Sequence, residues 1–264
     1  VARHALILRV ENMILASALR CVSATVLAAV LTGCSPQPDL LSEMDRERDR
    51  DPDRVAERNR MVQEQIAGPG RDIRDPRVLE AMRAVPRHAF VPPDVAARAY
   101  EDHPLPIGHG QTISQPYIVA FMTEQLAPRP EDRVLEVGTG SGYQAAVLSR
   151  LVAEVYTVEI VEPLALKAAQ DLSRLGFTNV FVRAGDGYAG WAEKTPFDAI
   201  IVTCAPDHVP QPLVDQLKEG GRMIIPVGGF GDQSLILLEK RAGQVARRAV
   251  LPVRFVPMTG PHTR

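Results

Sequence analysis

Short apolar runs alternate with longer amphipathic segments through the central part of the chain. Five of these runs have the length of strands, at 134–137, 155–158, 180–183, 197–202 and 223–227. Segments with helical spacing of apolar side chains lie between them, at 143–151, 163–175 and 209–217. This alternation predicts a parallel sheet with helices on both faces. Two further strand-like runs, 234–239 and 249–256, predict a terminal antiparallel hairpin. We therefore expect an α/β fold with a doubly wound, mostly parallel seven-stranded sheet.

Two helices are predicted on the N-terminal side of this sheet. Asp51-Pro52 supplies an N-cap and a proline at the first helical position, and the helix that follows is expected to end near Gln65. Asp75-Pro76 repeats the same start signal. The second helix carries apolar residues on one face, and we expect them in the core: Val78, Leu79, Met82 and Val85.

Residues 1–34 differ in composition from the rest of the chain. Arg20 precedes an uncharged apolar stretch, Cys21–Leu31, which has the layout of a signal peptide but is too short to span a bilayer. The stretch leads into Leu31-Thr32-Gly33-Cys34, which resembles a bacterial lipobox, in which the cysteine is lipidated. Residues 35–53 are rich in proline and charge and predict a disordered tether, so the globular part is expected to begin at residue 54.

Composition argues against several classes of partner. The chain has 30 lysines and arginines against 32 aspartates and glutamates, so its net charge of -2 does not favour a nucleic acid or an anionic membrane surface. Its three cysteines, Cys21, Cys34 and Cys204, are too few and too scattered for a disulfide framework or a metal knuckle. We expect no metal site.

The most informative stretch is Val134–Gly142, in which a strand-like run leads directly into three alternating glycines. Gly138, Gly140 and Gly142 lack Cβ atoms, so the chain can turn sharply and a ligand can lie against bare peptide groups. The spacing is Gly-x-Gly-x-Gly, which differs from the Gly-x-Gly-x-x-Gly of dinucleotide binders, and no Lys-Ser/Thr pair follows as in a P-loop. The loop therefore favours a nucleoside with a small charged tail over a pyrophosphate.

The next strand-like run ends in an acid, Glu159, which stands 21 positions after Gly138. Doubly wound folds place a ribose-binding carboxylate at an offset of roughly 20 positions. Asp186 and Thr203 also follow predicted strands, and ligands bind at the carboxyl ends of parallel strands. Together these features suggest S-adenosylmethionine. The alternative is that the glycines only turn the chain and that Glu159 caps the helix that begins before Pro163.

A resemblance to a known family rests on a loop upstream of the glycines and on seven further motifs. The loop, Leu105–Pro116, reads Leu-Pro-Ile-Gly-His-Gly-Gln-Thr-Ile-Ser-Gln-Pro. It resembles the signature loop of protein-L-isoaspartate O-methyltransferases, which methylate isoaspartyl residues in damaged proteins. The other matching motifs follow the family's order: Arg60–Val62, Ala84–Arg87 with Phe90–Val91, Glu136–Tyr143, Gly185–Gly187, Pro196–Thr203, Leu217–Gly228 and Arg254–Pro257. The resemblance covers roughly residues 58–259.

The resemblance implies a Rossmann-like class I methyltransferase domain over residues 54–264, with S-adenosyl-L-methionine as cofactor and isoaspartyl proteins and peptides as substrates. It implies that Ser114 is the active-site residue, and we expect Thr112, Ile107 and Gly108 to help position the substrate. For the cofactor it implies that the loop after the first predicted strand holds the methionine part, Glu159 the ribose, and Asp186-Gly187 the adenine side. The residues of that loop region are Glu136, Gly138, Thr139, Gly140 and Gly142.

Four alternatives stay open. From the residues alone, Ser114 could equally be a turn residue that bonds its own backbone before Pro116. His109 lies in the same loop and could be a base, although a carboxylate acceptor has no proton to lose. A nucleic-acid methyltransferase would share the cofactor region, but Thr203-Cys204-Ala205-Pro206 stands in place of its usual Asn/Asp-Pro-Pro-Tyr turn, and Cys204 itself replaces the alanine usual in the resembled family. The same fold could also serve as a catalytically silent binding module.

The location of the protein has two interpretations. Dependence on S-adenosylmethionine favours the cytoplasm, which the protein reaches if translation starts at Met44 or Met61 and omits the signal-like segment. A lipidated Cys34 would instead anchor the protein in the cell envelope, which is the one membrane contact we expect. We favour the cytoplasm and a monomeric protein that does not bind nucleic acid.

Overall fold

The computed structural model describes residues 52–229 and 231–262. The predicted signal-like segment, most of the predicted tether and the N-cap predicted at Asp51 lie outside these described residues. Pro52 and Asp53, the end of the predicted tether, already belong to a helix. Within the described ranges, no helix is both long and apolar enough to cross a membrane.

Six α-helices occur in the described ranges, and three of them begin at a proline. They are α1 (Pro52–Arg60), α2 (Pro76–Ala84), α3 (Pro116–Leu126), α4 (Tyr143–Ser149), α5 (Glu162–Arg174) and α6 (Gln211–Gln216). Proline is tolerated there because the first N–H groups of a helix have no partner inside it. Helix α1 continues as a π-helical segment, Met61–Ile66. The predicted cap of α2 is confirmed, since Asp75 accepts a hydrogen bond from Arg77 N–H at 2.9 Å.

Nine strands form two sheets in the described part of the chain. Their bounds are β1 (Leu105–Gly108), β2 (Gln111–Ile113), β3 (Arg133–Val137), β4 (Glu154–Glu159), β5 (Val180–Ala184), β6 (Phe197–Val202), β7 (Leu217–Val227), β8 (Gln233–Arg241) and β9 (Gln244–Val253). β1 and β2 form a hairpin of their own, and the other seven form a sheet of order β5-β4-β3-β6-β7-β8-β9. Strands β3 to β7 are parallel, whereas β8 and β9 are antiparallel. The predicted seven-stranded doubly wound fold with a terminal hairpin is thus confirmed.

Strand β3 is central and is buried on both faces. Successive side chains of a strand point to opposite faces, so Val134 joins the core shared with α2, α3 and α4, while Leu135 and Val137 join the core on the other side. All three are at most 1% exposed. A strand covered on both faces requires an almost continuous apolar run, which is the pattern that the sequence shows here.

The direction of winding reverses beside β3 and opens the crevice that holds the site. β4 lies on one side of β3 and β6 lies on the other. Ligands bind outside the carboxyl ends of parallel strands at such a point. Gly138 directly follows β3, Glu159 ends β4 and Thr203 directly follows β6, so the three residues meet at this crevice as the sequence predicts.

The sequence interpretation misses two elements that precede the main sheet. Residues 105–116 are expected as a loop, but they contain the β1–β2 hairpin, whose turn has positive φ at Gly108, His109 and Gly110. Helix α3 is also missed. Its buried residues lie on one face, but the less buried face also carries apolar side chains, Tyr117, Ile118 and Phe121, so the sequence shows no clear amphipathic period.

Predicted boundaries shift in the C-terminal part. Strand β7 begins at Leu217 where a helix end is predicted, and α6 is shorter than its predicted range of 209–217. β9 begins five residues before the predicted Ala249, because Ala242 and Gly243 form a two-residue hairpin turn with φ of 52° and 73°. β9 is an edge strand with mostly exposed side chains, so its sequence carries a weak apolar signal.

Candidate active site

The glycine loop after β3 is fastened to the neighbouring strands by its own backbone. The N–H groups of Gly138 and Thr139 both donate to Val158 O, at 2.8 and 3.3 Å. Gly138 has a φ of 97°, and a Cβ on it would lie 2.5 Å from Thr203 Oγ1. That hydroxyl donates to Gly138 O at 2.6 Å. Only glycine fits this position, because any side chain would be strained and would also collide with Thr203.

Glu159 joins the glycine loop to the end of β4. Its Oε2 accepts a hydrogen bond from Gly140 N–H at 2.8 Å, and its Oε1 accepts one from Val161 N–H at 3.0 Å. Val161 directly precedes α5, so Glu159 also supports the start of that helix, as the alternative interpretation expects. Each carboxylate oxygen keeps a second lone pair. Glu159 can therefore shape the loop and still accept hydrogen bonds from two hydroxyl groups.

Glu136 is a fully buried carboxyl group on β3, two residues before Gly138. Neither of its oxygens has a hydrogen-bond partner among the described residues, and the nearby hydroxyl of Thr157 pairs with Thr139 Oγ1 at 2.6 Å. Burial raises the pKa of Glu136 to about 8; the Thr157 hydroxyl opposes this rise and the charge of Glu159 adds to it. A cationic ligand group would satisfy both oxygens and lower this pKa.

These groups line one cleft at the carboxyl ends of β3, β4 and β6, which we call the cofactor cleft. It comprises about 770 Å³ of space, which includes the part that is open to solvent. Its lining consists of residues 111–114, 119, 136–141, 143–144, 158–161, 187, 203–204 and 256–259. The acidic residues in this described lining are Glu136 and Glu159, and no lysine or arginine accompanies them. The cleft therefore suits a cation and disfavours a polyphosphate.

The β1–β2 hairpin and the residue after it contribute another wall of the cofactor cleft. Thr112, Ile113 and Ser114 belong to the lining. Ile107 approaches the glycine loop, because its Cδ1 lies 3.5 Å from the position that a Cβ on Gly140 would take. The hairpin thus brings Ser114 to the same cleft as the glycine loop.

A second cleft adjoins the first, and we call it the side cleft. It comprises about 1200 Å³ of space, including the part open to solvent, and its lining consists of residues 104, 112, 114–115, 118, 203, 231 and 252–256. Four residues line both clefts: Thr112, Ser114, Thr203 and Val256. The charged residue in the described lining of the side cleft is Arg254. The two clefts thus meet at hydroxyl-bearing side chains, with two glutamates in the lining of one cleft and an arginine in that of the other.

Comparison with known proteins agrees with this geometry. Residues 57–263 match the family model described as Protein-L-isoaspartate(D-aspartate) O-methyltransferase (PCMT). The chain belongs to this family. The resemblance predicted from the motifs is thereby confirmed, over nearly the same residues.

Two curated members of the family are similar to this chain over most of their length. Protein-L-isoaspartate O-methyltransferase 2 of Polaromonas sp. is 58% identical over 202 residues, which cover 76% of this chain and 96% of the relative. The protein of the same name from Syntrophobacter fumaroxidans is 61% identical over 195 residues, which cover 73% of this chain and 79% of the relative.

A solved structure has the same fold. It is that of a Plasmodium falciparum protein assigned to the same family, in complex with S-adenosyl-L-homocysteine. The two chains are 26% identical and superpose with a TM-score of 0.66, over 76% of this chain and 98% of the other.

Most of the predicted site residues lie in the cofactor cleft. Those in its lining are Thr112, Ser114, Glu136, Gly138, Thr139, Gly140, Glu159 and Gly187. The predicted residues outside the lining are Ile107, Gly108, Gly142 and Asp186. Gly142 packs against α5 instead, where a Cβ on it would lie 3.1 Å from Leu172 Cδ1. Asp186 accepts a hydrogen bond from Tyr188 N–H at 3.0 Å and lies 3.7 Å from His262 Nε2.

The sequence interpretation misses one wall of the cofactor cleft, Val256–Thr259. Backbone hydrogen bonds attach this segment to the residues after β6: Ala205 N–H donates to Val256 O and Met258 N–H donates to Ala205 O, both at 2.8 Å. The family motif Arg254–Pro257 is the signal that could have found it. Because the contact joins distant parts of the chain, no local pattern predicts it.

Two reactive side chains near the site are poorly suited to chemistry. His109, at the hairpin turn, lines neither cleft. Cys204 lines the cofactor cleft, but burial raises the pKa of its thiol to about 12 and the charge of Glu159 adds to the rise. A protonated thiol is a weak nucleophile. No group of three metal-ligating side chains occurs within residues 52–229 and 231–262.

Proposed function

We propose that this chain transfers a methyl group from S-adenosyl-L-methionine to the carboxylate of L-isoaspartyl residues in damaged proteins and peptides, which initiates their repair. The observation that carries the proposal is the meeting of the two clefts at the hydroxyl-bearing residues Thr112 and Ser114. Family membership supports it independently, since relatives at 58% and 61% identity bear the name of this activity.

The residues of the cofactor cleft fit this cofactor. S-adenosylmethionine supplies a methyl group attached to a sulfonium cation, and its amino acid part carries an ammonium group. Glu136, with two carboxylate oxygens that lack partners in the described structure, would hold that ammonium. Glu159 would accept hydrogen bonds from the ribose diol, and Gly187 would lie near the adenine. Asp186, next to Gly187, accepts a hydrogen bond from the backbone N–H of Tyr188.

The acceptor needs no general base. An isoaspartyl carboxylate has a reference pKa near ~3.9, so it is already an anion at neutral pH. The side chains at the junction of the clefts agree with this, because Thr112, Ser114 and Thr203 carry hydroxyls and no base. In this proposal the Ser114 hydroxyl donates a hydrogen bond to the acceptor carboxylate and orients it, with Thr112 beside it.

The side cleft suits a peptide. Its lining extends from Pro104, beside β1, to residues 252–256 at the end of β9, and Arg254 is the charged side chain in this described lining. A peptide that runs through this cleft would bring its isoaspartyl carboxylate to Ser114.

Exclusion of water favours the reaction. The reactants carry opposite charges that are absent from the products, so a dry site favours the less charged transition state over the solvated ions. Ile113, Val119 and Met258 line the cofactor cleft and are each at most 5% exposed. Alignment of the two reactants contributes further, on the order of 7–11 kcal/mol in well-oriented systems.

The direct test uses an isoaspartyl peptide and S-adenosylmethionine labelled in its methyl group. We expect label in the peptide as a base-labile methyl ester, and none in the same peptide with a normal aspartate. Transfer to DNA or RNA instead would favour a nucleic-acid methyltransferase. Binding of S-adenosylhomocysteine without transfer to any of these acceptors would indicate a silent binding module.

We also propose that residues 54–264 act as one methyltransferase domain, in the cytoplasm and as a monomer. The need for S-adenosylmethionine, which is made in the cytoplasm, supports this location. Cell fractionation with mass spectrometry of the mature N-terminus tests it, because an N-terminus at a lipidated Cys34 would contradict it. Light scattering of the purified protein tests the monomer.

A further inference from the structure

A fully buried arginine, Arg87, binds the backbone of the loop that carries Ser114. Its guanidinium donates three hydrogen bonds to main-chain carbonyls: Nε to Ala99 O at 2.7 Å, Nη1 to Ser114 O at 2.9 Å and Nη2 to His103 O at 3.3 Å. Three segments that are separate in sequence therefore meet at this one side chain.

Packing alone does not explain a buried guanidinium. Burial lowers the pKa of Arg87 to about 10, against the opposing effect of Tyr143 and Asp102, so the side chain is a cation at neutral pH. A buried cation has a large desolvation cost, and an apolar side chain of similar volume would fill the same space without it. What the guanidinium adds is a rigid fork of donors, which a lysine ammonium lacks.

A carboxylate, Asp102, holds the residues on the other side of Ser114. Its Oδ1 accepts a hydrogen bond from Tyr117 N–H at 2.9 Å, and its Oδ2 accepts one from Gln115 Nε2 at 2.9 Å. Arg87 thus holds the loop at Ser114, and Asp102 holds it at Gln115 and Tyr117. We call these two side chains the loop clamp.

The loop clamp acts on the Ser114 side of the site. Neither Arg87 nor Asp102 lines the cofactor cleft or the side cleft. The glycine loop is held by other partners, among them Val158 O and Glu159. Arg87 lies beside Tyr143, a residue of the cofactor-cleft lining. The centroid of the Tyr143 ring is 5.2 Å from the Arg87 guanidinium carbon.

We infer that Arg87 and Asp102 are positioning residues for methyl transfer, which fix the backbone at Ser114 so that its hydroxyl meets the acceptor carboxylate. The inference rests on the proposed function, in which Ser114 orients that carboxylate. Displacement of a catalytic group by about 1 Å can lower a rate on the order of a hundredfold. A loosened clamp should therefore slow turnover and leave the affinity for the cofactor product in place.

Arg87→Lys tests the inference, because lysine keeps the charge but cannot reach three carbonyls at once. The measurements are kcat and KM on an isoaspartyl peptide, the Kd of S-adenosylhomocysteine by calorimetry, and the thermal midpoint. They are made on Arg87→Lys, on Ser114→Ala and on the double variant. We expect Arg87→Lys to lower kcat about tenfold to a hundredfold, with the Kd within about twofold of wild type.

The double variant separates a positioning role from a general structural one. If Arg87 acts through Ser114, adding Arg87→Lys to Ser114→Ala should lower kcat no further. Arg133→Lys is the matched control, because Arg133 pairs with Glu154 at 3.1 Å at the amino end of β3, away from both clefts. It should leave kcat within about twofold of wild type.

Three results would overturn the inference: losses that multiply in the double variant, an equal loss of affinity for S-adenosylhomocysteine, or an equal effect of Arg133→Lys. Full turnover in Ser114→Ala would also overturn it, while methylation of isoaspartyl peptides would stand. A wild-type protein inactive on the peptide would contradict the proposed function itself. If Arg87→Lys does not fold, Asp102→Ala, at a side chain that is 11% exposed, carries the same measurements with the same expected non-additivity.

Discussion

The cofactor side and the acceptor side of the site are held in place in different ways. The glycine loop follows the central strand β3, and its backbone is bonded to the adjacent strand β4 through Val158 O and to Glu159. Ser114 follows a short hairpin outside the main sheet, and its carbonyl is held by a side chain, Arg87, that lies 27 residues earlier. The glycine loop is thus joined to the sheet itself, whereas the loop that carries Ser114 is held to the rest of the protein by side chains.

This difference predicts which measurement responds to which change. Substitutions in the glycine loop and at Glu159 should appear in the affinity for S-adenosylhomocysteine, because these residues line the cofactor cleft and not the side cleft. Substitutions in the hairpin loop should appear in turnover on the peptide. The predictions below test this separation, beginning with the largest expected effect.

Gly138→Ala should nearly abolish cofactor binding. An alanine at a φ of 97° is strained, and its Cβ would lie 2.5 Å from Thr203 Oγ1. Backbone strain and overpacking each cost roughly 1–3 kcal/mol. We expect the affinity for S-adenosylhomocysteine to fall about a hundredfold or more, as measured by calorimetry.

Gly176→Ala is the control for Gly138→Ala. Gly176 has a φ of 83°, but a Cβ on it would have no neighbour within 4 Å, so this variant has the strain without the collision. It should lose some stability and keep its affinity for S-adenosylhomocysteine. Equal losses of affinity in the two variants would contradict the importance of the close contact with Thr203.

Glu136→Gln should remove a pH dependence of stability in the cofactor-free protein. The pKa of Glu136 is raised from 4.5 to about 8 by burial. Between these values the unfolded chain releases a proton that the folded protein keeps. The stabilising contribution of the neutral group is therefore complete below pH 4.5 and is lost as the pH rises to about 8. The raised pKa corresponds to several kcal/mol of unfolding free energy.

Urea unfolding of wild type and Glu136→Gln at several pH values measures this effect. The variant should become progressively more stable than wild type between pH 4.5 and 8. Parallel stability curves would contradict a neutral Glu136. In addition, if Glu136 holds the cofactor ammonium, binding of S-adenosylhomocysteine to wild type at pH 7 should release a proton, which calorimetry in buffers of different ionisation enthalpy detects.

Glu159→Ala should weaken cofactor binding without a specific effect on the peptide. Hydrogen bonds to a charged group contribute about 1.5–3 kcal/mol, which corresponds to roughly tenfold to a hundredfold in Kd. Glu162→Ala, at an exposed glutamate at the start of α5, is the control and should leave the Kd unchanged. A Kd for S-adenosylhomocysteine within about twofold of wild type in Glu159→Ala would exclude the ribose contact.

Ser114→Ala should lower turnover and leave the affinity for S-adenosylhomocysteine nearly unchanged, which is the reverse of the result expected for Glu159→Ala. One hydrogen bond to the acceptor carboxylate is lost, so we expect kcat to fall about tenfold to a hundredfold, with little change in the Kd of S-adenosylhomocysteine. Ser149→Ala is the control, since its hydroxyl donates to Ala146 O within α4. Unchanged turnover in Ser114→Ala would remove Ser114 from the active site.

Cys204→Ala should have the smallest effect, although Cys204 lines the cofactor cleft. Its thiol has a pKa of about 12, so it is neutral and unreactive at pH 7. We expect kcat/KM on an isoaspartyl peptide to stay within about twofold of wild type. A larger loss would show that the thiol contributes to the site, contrary to this description.

The sequence pattern was sufficient for the main sheet and for most of the cofactor side. Strands β3, β4 and β6 are apolar runs because they are covered on both faces, and that burial is visible in the residues themselves. Gly138 and Glu159 follow and end neighbouring strands, so the topology alone brings them together. The sequence did not show which glycines line the cofactor cleft and which pack against a helix. Gly142 has the same spacing in the motif as Gly138, but it packs against Leu172 of α5.

Other elements depended on contacts that no short stretch of sequence contains. The sequence alone predicted neither the β1–β2 hairpin nor helix α3, because the hairpin is short and glycine-rich and the helix carries apolar side chains on its less buried face as well as on its buried one. The Val256–Thr259 wall of the cofactor cleft depends on hydrogen bonds to the residues after β6.

For this protein, the sequence by itself determined the fold, the family and the meeting of Gly138 and Glu159 in one cleft, because strand periodicity and a glycine turn are local properties. Only the tertiary structure decided what holds Ser114. The guanidinium of Arg87 binds carbonyls of Ala99, His103 and Ser114, and main-chain carbonyls are present at every residue. Because any residue type can supply such a carbonyl, the identities of these three residues do not indicate that Arg87 binds them. The contact can be recognised only in the folded chain.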